Sequence, residues 1–260
     1  MSGSSSSSSK GGAAGGPVEP AKAKRTPKYR RILLKLSGEM LGGRAGVGFD
    51  YEVIKTIGRE ISAIAAAGVK LGLVVGGGNI FRGTRSAPPE MDRVAGDNMG
   101  MLGTVINAIC LQSTLENLGM ETRVMTAIEM SALAEPYIRR RAGRHLDKGR
   151  VVIFAGGTGH PFFSTDTAAA LRASEMGAEL LIKGTKVDGV YDKDPVRFSD
   201  AVRFDKLDYQ EVMSRELQVM DSTAVAFCKD NKIPILVLNI ETPGILMEAI
   251  CGKPVGTLVS

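Results

Sequence analysis

Cysteine is scarce in this sequence, and its spacing leaves it unpaired. Cys110, Cys228 and Cys251 are odd in number, far apart and without a Cys-x-x-Cys arrangement. That excludes a disulfide framework and the common zinc pattern, and it suits a reducing cytoplasmic setting. Tryptophan is absent and aromatic residues make up only 5% of the chain. Net charge is +5, but Lys10, Lys22, Lys24 and Arg25 against Glu19 put three of those charges in residues 1–27, leaving about +2 on the rest. So few aromatics on a nearly neutral body argue against a dedicated nucleic-acid binder. Beyond the N-terminal segment the clustered basic run is Arg139-Arg140-Arg141, which reads as a solvated helix cap. No stretch of eighteen or more apolar residues occurs, since Lys70 and several glycines interrupt the most hydrophobic region, so no membrane span is expected. A Walker A motif is also missing: none of the glycine turns has the Gly-x-x-x-x-Gly-Lys-Ser/Thr spacing.

What is present is enough for a full core. The chain has 260 residues, 43% of them hydrophobic, which fits one large domain or two small ones. Residues 1–27, with Ser4 to Ser9 followed by Gly11, Gly12, Gly15 and Gly16, hold too few apolar side chains to repay the entropy of ordering. They read as a disordered extension; their serine-rich, basic, acid-poor composition also fits a transit peptide or a leader.

From Tyr29 onward strands alternate with helices. The pattern predicts strands at 31–36, 69–75, 122–125, 150–154, 179–183 and 235–238. Helices are expected at 51–67, 97–118, 136–146 and 166–176. Such alternation calls for a largely parallel sheet with helices on both faces.

Three of the strands end in small, flexible turns. Leu71 to Val75 runs into Gly76-Gly77-Gly78-Asn79-Ile80-Phe81-Arg82, Ile32 to Leu36 into Ser37-Gly38-Glu39, and Val151 to Ala155 into Gly156-Gly157-Thr158-Gly159. Glycine reaches backbone conformations closed to other residues and brings bare N–H groups up to an anion, and the Arg82 guanidinium can grip phosphate at two points. In open α/β sheets ligands collect beyond the carboxyl ends of the strands, so three such ends predict one composite phosphate site. Lys35 lies within an apolar strand and Lys183 ends Leu180-Leu181-Ile182. A buried ammonium needs a partner, and an anionic ligand supplies one. Phosphoryl transfer is catalysed mainly by alignment and positive charge, which is the chemistry these residue types suit. Asp166, after Ser164-Thr165, reads equally as a helix N-cap and as the carboxylate that orients Lys35 and Lys183 or a metal ion.

Five segments taken together resemble the bacterial uridylate (UMP) kinase family of the amino-acid-kinase superfamily. They are Lys35-Leu36-Ser37-Gly38-Glu39, Gly76 to Gly83, Gly96-Asp97-Asn98-Met99-Gly100-Met101-Leu102, Thr158 to Asp166 and Lys186-Val187-Asp188-Gly189-Val190-Tyr191. The resemblance runs from about Tyr29 to the C-terminus. It implies a three-layer αβα sandwich with a largely parallel central sheet over residues 28–260, a single domain whose N-terminal half binds UMP and whose C-terminal half binds ATP, with Mg2+ bridging the phosphates.

On the same basis Lys35, Lys183, Asp166 and Asp221 are the catalytic set. UMP falls to Gly77, Arg82, Asp97 for the ribose, and Thr158, Gly159, His160, Pro161, Phe162, Phe163, Ser164 and Thr165. ATP falls to Lys35, Leu36, Ser37, Gly38, Gly78, Arg82, Thr185, Tyr191 and Asp194. No protein metal ligands are expected. A cytoplasmic homohexamer, activated by GTP and inhibited by UTP, is the implied assembly. His160 departs from the asparagine of many relatives; read alone it is a loop residue with no proton-transfer role. A superfamily kinase acting on a carboxylate or carbamate would share Lys35, the glycines and Lys183, but Asp97 and Pro161-Phe162-Phe163 speak against it. A non-catalytic nucleotide-binding protein, of the kind seen in the superfamily's molybdenum-storage branch, would not need Lys35, Arg82 and Lys183.

Overall fold

Every long strand of this chain is apolar on both faces, so each must be covered on both sides. The computed structural model describes residues 26–82, 88 and 90–260. The segment 1–25 and Gly83 lie outside the described residues.

The sheet contains β1 (Arg31–Leu36), β2 (Lys70–Val75), β3 (Thr122–Thr126), β4 (Glu135–Pro136), β5 (Val151–Ala155), β6 (Leu180–Thr185), β9 (Lys206–Leu207), β10 (Ile235–Asn239) and β11 (Thr257–Val259). Its order is β4-β3-β5-β2-β1-β6-β10-β11-β9. Pairing is parallel throughout except between β10 and β11. A separate antiparallel pair, β7 (Val190–Tyr191) and β8 (Arg203–Phe204), stands beside it.

The helices are α1 (Gly38–Leu41), α2 (Tyr51–Ala66), α3 (Arg93–Asn117), α4 (Arg139–Asp147), α5 (Thr165–Met176), α6 (Tyr209–Ser214), α7 (Ser222–Asp230) and α8 (Ile245–Ile250). They divide between two apolar layers according to strand parity. Ile32, Leu34 and Leu36 of β1 join α1, α2, α3 and α8 in one cluster, while Leu33 joins α4, α5, α6 and α7 in the other. The same alternation holds in β5, where Val151, Ile153 and Ala155 face one way and Val152 and Phe154 the other. This is the expected αβα sandwich.

Two element starts differ from expectation by three residues or more, while the other bounds shift by at most two. Helix α3 starts at Arg93 rather than Asp97, because the Asp92 carboxylate accepts from Ala95 N at 3.2 Å and caps it there. Helix α4 begins at Arg139 rather than Pro136, because Glu135–Pro136 is taken into the sheet as β4 and Ile138 is extended. The three arginines therefore form the exposed first turn of α4 and do not cap their own helix, but Arg139 Nε donates to the Glu175 carbonyl at 2.7 Å and so caps the last turn of α5. The small C-terminal elements, from β7 to α7 and then α8 and β11, have too little periodicity to stand out in the sequence. By length and composition alone α3 could cross a membrane, but Gly96, Met101, Val105, Ala108, Leu111 and Leu115 bury one side of it in the core.

Candidate active site

Strand register places the two lysines. Lys35 and Lys183 are partners across the parallel β1–β6 pair. Both share the parity of Leu33 and Leu181, so both point toward the α5 layer at the carboxyl end of the sheet. Helix α5 delivers the counter-ion: Asp166 Oδ1 lies 2.6 Å from Lys35 Nζ, and Asp166 Oδ2 accepts from Lys183 Nζ at 3.1 Å. Lys183 Nζ also donates to the Val219 carbonyl at 2.6 Å. Lys35 is only 7% exposed.

Burial pushes the Asp166 carboxyl up, but Lys35 and Lys183 together outweigh it and hold the group below its ordinary value. For Lys183, burial is the largest influence and lowers its pKa; Asp166 opposes this and Lys35 adds to it. One carboxylate between two ammonium groups leaves this triad with a net positive charge in a poorly solvated place, which favours an anionic ligand.

Asp166 is not the helix cap. Ser164 caps α5, its Oγ accepting from Asp166 N at 2.9 Å and Thr167 N at 3.1 Å. The Ser164 hydroxyl in turn donates to Asp221 Oδ2, and Thr167 Oγ1 donates to Asp221 Oδ1 at 3.1 Å. Asp221 also caps α7 by accepting from Ala224 N at 2.8 Å. It is thus tied to the start of α5, and it holds neither lysine directly.

Two of the three glycine-bearing turns meet directly, and the third, at Gly156, reaches them through Thr104 of α3, which also lies against Gly77. A Cβ on Gly38 would fall 2.5 Å from the Gly76 carbonyl and 2.7 Å from Gly78 N, and one on Gly76 would fall 3.1 Å from Gly38 N and 3.4 Å from Thr165 Oγ1. The reason for the glycines is, however, partly different from expectation. Among positions 76–78 none has a positive φ; what excludes a side chain at Gly76 and Gly77 is close approach, while a Cβ on Gly78 would make only ordinary contact with Glu39. Gly77 illustrates this best, since its Cβ would lie 2.4 Å from the Gly100 carbonyl of α3. The third turn is the one that uses left-handed backbone, at Gly156, Gly157 and Gly159, with φ between 58° and 83°.

Arg82 pairs with Glu39, which also lies over Gly78. Two buried amides pin the β2 turn from below. Asn107 of α3 donates to the Gly76 carbonyl and to Asn79 Oδ1, each at 2.6 Å, and Asn79 donates to the Gly48 carbonyl at 2.8 Å. Thr104 Oγ1 likewise accepts from Gly156 N at 2.8 Å.

Asp97 faces the 158–165 loop, accepting from Phe162 N at 2.8 Å and pairing with Arg93. Within that loop Thr158 Oγ1 exchanges hydrogen bonds with the His160 backbone, and Phe162 and Phe163 are exposed. On the other side of the lysines, Thr185 ends β6 and donates to the Val187 carbonyl at 2.5 Å. Tyr191 donates to Asp188 at 2.5 Å, and Asp194 accepts from Val196 N at 2.9 Å. Thr185 Oγ1 also reaches the Leu238 carbonyl of β10 at 3.3 Å, and none of the three joins the Lys35–Asp166–Lys183 group. Leu36 buries its side chain in the core, so only its backbone is available to a ligand; Ser37 precedes α1 with its hydroxyl uncommitted to the cap. Beside this end of the sheet a groove of about 840 Å3 opens next to Arg44, Tyr51, Lys186 and Glu241. It excludes the lysine triad, and Lys186 Nζ bridges to the Gly43 carbonyl at 2.7 Å there.

No three His, Cys, Asp or Glu side chains converge as a metal cluster among the described residues. Asp166 is already engaged by two ammonium groups and Asp221 by two hydroxyls and a helix N–H. This donor set fits a divalent ion carried mainly by the phosphates of a nucleotide, as is usual for magnesium, and not one caged by protein.

Asn107, Asn79, Glu39 and Arg93 were not foreseen from sequence. Asn107 had a signal, a lone amide at a core position of an otherwise Ala/Val/Ile stretch, which must find a partner when buried. Asn79 sits within the glycine turn, where an amide is ordinary loop composition, and Glu39 and Arg93 carry no signal, because surface charges in a sequence do not announce their partners.

Residues 30–239 match the family model of the amino acid kinase family. The crystal structure of UMP kinase from Bacillus anthracis is 41% identical, covering 89% of this chain and 96% of that one with a TM-score of 0.86. UMP kinase from Ureaplasma parvum is 35% identical over 90% of this chain and 99% of its own, with a TM-score of 0.83. Uridylate kinase from Archaeoglobus fulgidus is more distant, at 29% identity over 88% and 99% and a TM-score of 0.67.

Proposed function

The chain belongs to the amino acid kinase family, and from that premise we propose that it is a UMP kinase, transferring the γ-phosphoryl group of ATP to UMP to give UDP and ADP in pyrimidine nucleotide biosynthesis. The observation that carries the chemistry is the pair Lys35 and Lys183, in register on adjacent strands and bridged by Asp166. The transferred group passes between attacking and leaving oxygens roughly in line, with charge spread over its equatorial oxygens. Two ammonium groups fixed before the substrate arrives stabilise that charge without reorganising, and Asp166 sets their separation.

The UMP half-site is read as Gly77, Arg82, Asp97 and the 158–165 loop, and the ATP half-site as the Lys35–Gly38 turn with Gly78, Arg82, Thr185, Tyr191 and Asp194. Arg82 exchanges Glu39 for phosphate when substrate binds. Asp221 acts through Ser164 and Thr167, fixing the start of α5 from which Asp166 projects. Mg2+, arriving with ATP, supplies charge neutralisation across the phosphate oxygens. The protein is read as a cytoplasmic homohexamer, activated by GTP and inhibited by UTP. An exposed apolar stripe on α3, formed by Met99, Leu102, Ile106 and Ile109, supports self-association.

ADP formation from Mg-ATP with UMP, CMP, dUMP, acetylglutamate, carbamate or no acceptor tests the assignment. Turnover should be far greatest with UMP, with dUMP at most a poor acceptor, and fall roughly a hundredfold or more in Lys35→Ala, the scale of one positioned charge. Nucleotide binding without turnover on any acceptor would overturn it.

A further inference from the structure

Asp97 and Phe162 are joined by a third residue, Arg93, to which the reaction as read above gives no role. Arg93 Nε lies 3.0 Å from Asp97 Oδ1 and 2.9 Å from Oδ2. An exposed pair four residues apart on a helix would by itself be a minor ornament of the surface. Two further contacts set this one apart. The Arg93 guanidinium stands 5.5 Å over the centroid of the Phe162 ring, and the Phe162 backbone N–H donates to the same carboxylate at 2.8 Å. Three groups from two distant segments thus close a triangle.

Phe162 is also the unusual member of its loop. It has φ of 72°, a left-handed value that an aromatic residue seldom adopts, and the residue is 66% exposed. Such a backbone persists only where its surroundings hold it. Here the holding groups are the Asp97 carboxylate behind the N–H and the Arg93 cation over the ring face.

The carboxylate is left with a defined vacancy. Oδ2 accepts from both Arg93 and Phe162, whereas Oδ1 accepts from Arg93 alone. Each oxygen can take about two donors, so Oδ1 is the one open to a ligand hydroxyl.

We propose that Arg93 is a positioning residue for the nucleoside half-site. By holding Asp97 and pressing on Phe162 it aims Oδ1 at the sugar and fixes the loop that closes round the monophosphate, and so it sets the preference for a ribonucleotide over a deoxyribonucleotide acceptor. This rests on the reading of Asp97 as the ribose acceptor.

Steady-state kinetics with UMP and dUMP on the full chain, for wild type, Arg93→Ala and Asp97→Ala, separate the possibilities, with melting curves to confirm that each variant is folded. Arg93→Ala should raise the UMP KM about tenfold, the worth of a hydrogen bond to a charged group, with a much smaller effect on kcat and none on the ATP KM. The ratio of kcat/KM for UMP to that for dUMP should fall toward one. If Arg93→Ala keeps the UMP KM and this ratio while Asp97→Ala loses both, the clasp is refuted and the ribose reading stands. If Asp97→Ala also keeps both, the ribose reading itself fails and takes the clasp with it. An equal loss in kcat and in both KM values with Arg93→Ala would mark a structural role and likewise overturn the proposal.

Discussion

Lys183 carries a charge the fold makes expensive. Burial lowers its pKa more than Asp166 raises it, so the folded value lies below that of a free lysine. The consequence is a kcat–pH profile whose alkaline limb begins below the ordinary lysine range, as the cation over the transferred group is lost. The sign for stability is opposite. A lysine with a depressed folded pKa costs stability while protonated, and that cost disappears as pH rises through the folded value. Melting temperatures taken alongside kcat will therefore separate lost charge from unfolding, and a limb at or above the free lysine range would contradict the assignment. Single residues of this kind were the most legible part of the sequence, because an ammonium inside an apolar strand has few explanations. Asp166 was legible only as two equal alternatives, since a carboxylate in the first turn of a helix serves a cap and an ion pair equally well. Distance along the chain hid the pairing of Glu39 with Arg82 and the seat of Arg93 on the Phe162 ring, since both join separate segments.

Elements were legible where hydrophobic periodicity was strong and blurred where local chemistry decided. The predicted strand at 31–36 is β1 residue for residue, whereas the start of α3 depended on the Asp92 cap and that of α4 on the capture of Glu135 by a strand. Glycines test how far such elements lean on each other. Gly77→Ala drives a methyl into the Gly100 carbonyl of α3, so it should cost about 1–3 kcal/mol and raise the UMP KM by displacing the β2 turn. Gly143 sits inside α4 with nothing within 4 Å of its Cβ position. Gly143→Ala should stabilise by about 0.5–1 kcal/mol without changing kinetics. Denaturant melts of both variants check the pair, and an unperturbed Gly77→Ala would mean that the turn and helix are less tightly packed than described.

At the scale of the whole molecule, the αβα class followed from the alternation of strands and helices, but the order of strands did not, because nothing local says which strands become neighbours. The α3 stripe belongs here too. Four apolar side chains outward on a helix whose other side is core are costly to leave in water, and Ile106→Glu should shift the assembly toward smaller species in sedimentation velocity; an unchanged profile would exclude this face from the interface. The register of Lys35 against Lys183 has a last consequence, in time. Ribosomes add roughly 5–20 residues each second, so Lys35 is made on the order of ten seconds before its helix counter-ion and its strand partner exist. During that interval β1 has half its neighbours and a cation no folded surface can accept. The proposed phosphoryl-transfer centre cannot form until Asp166 and β6 have been made, so a copy that stops short of them should be an inert one.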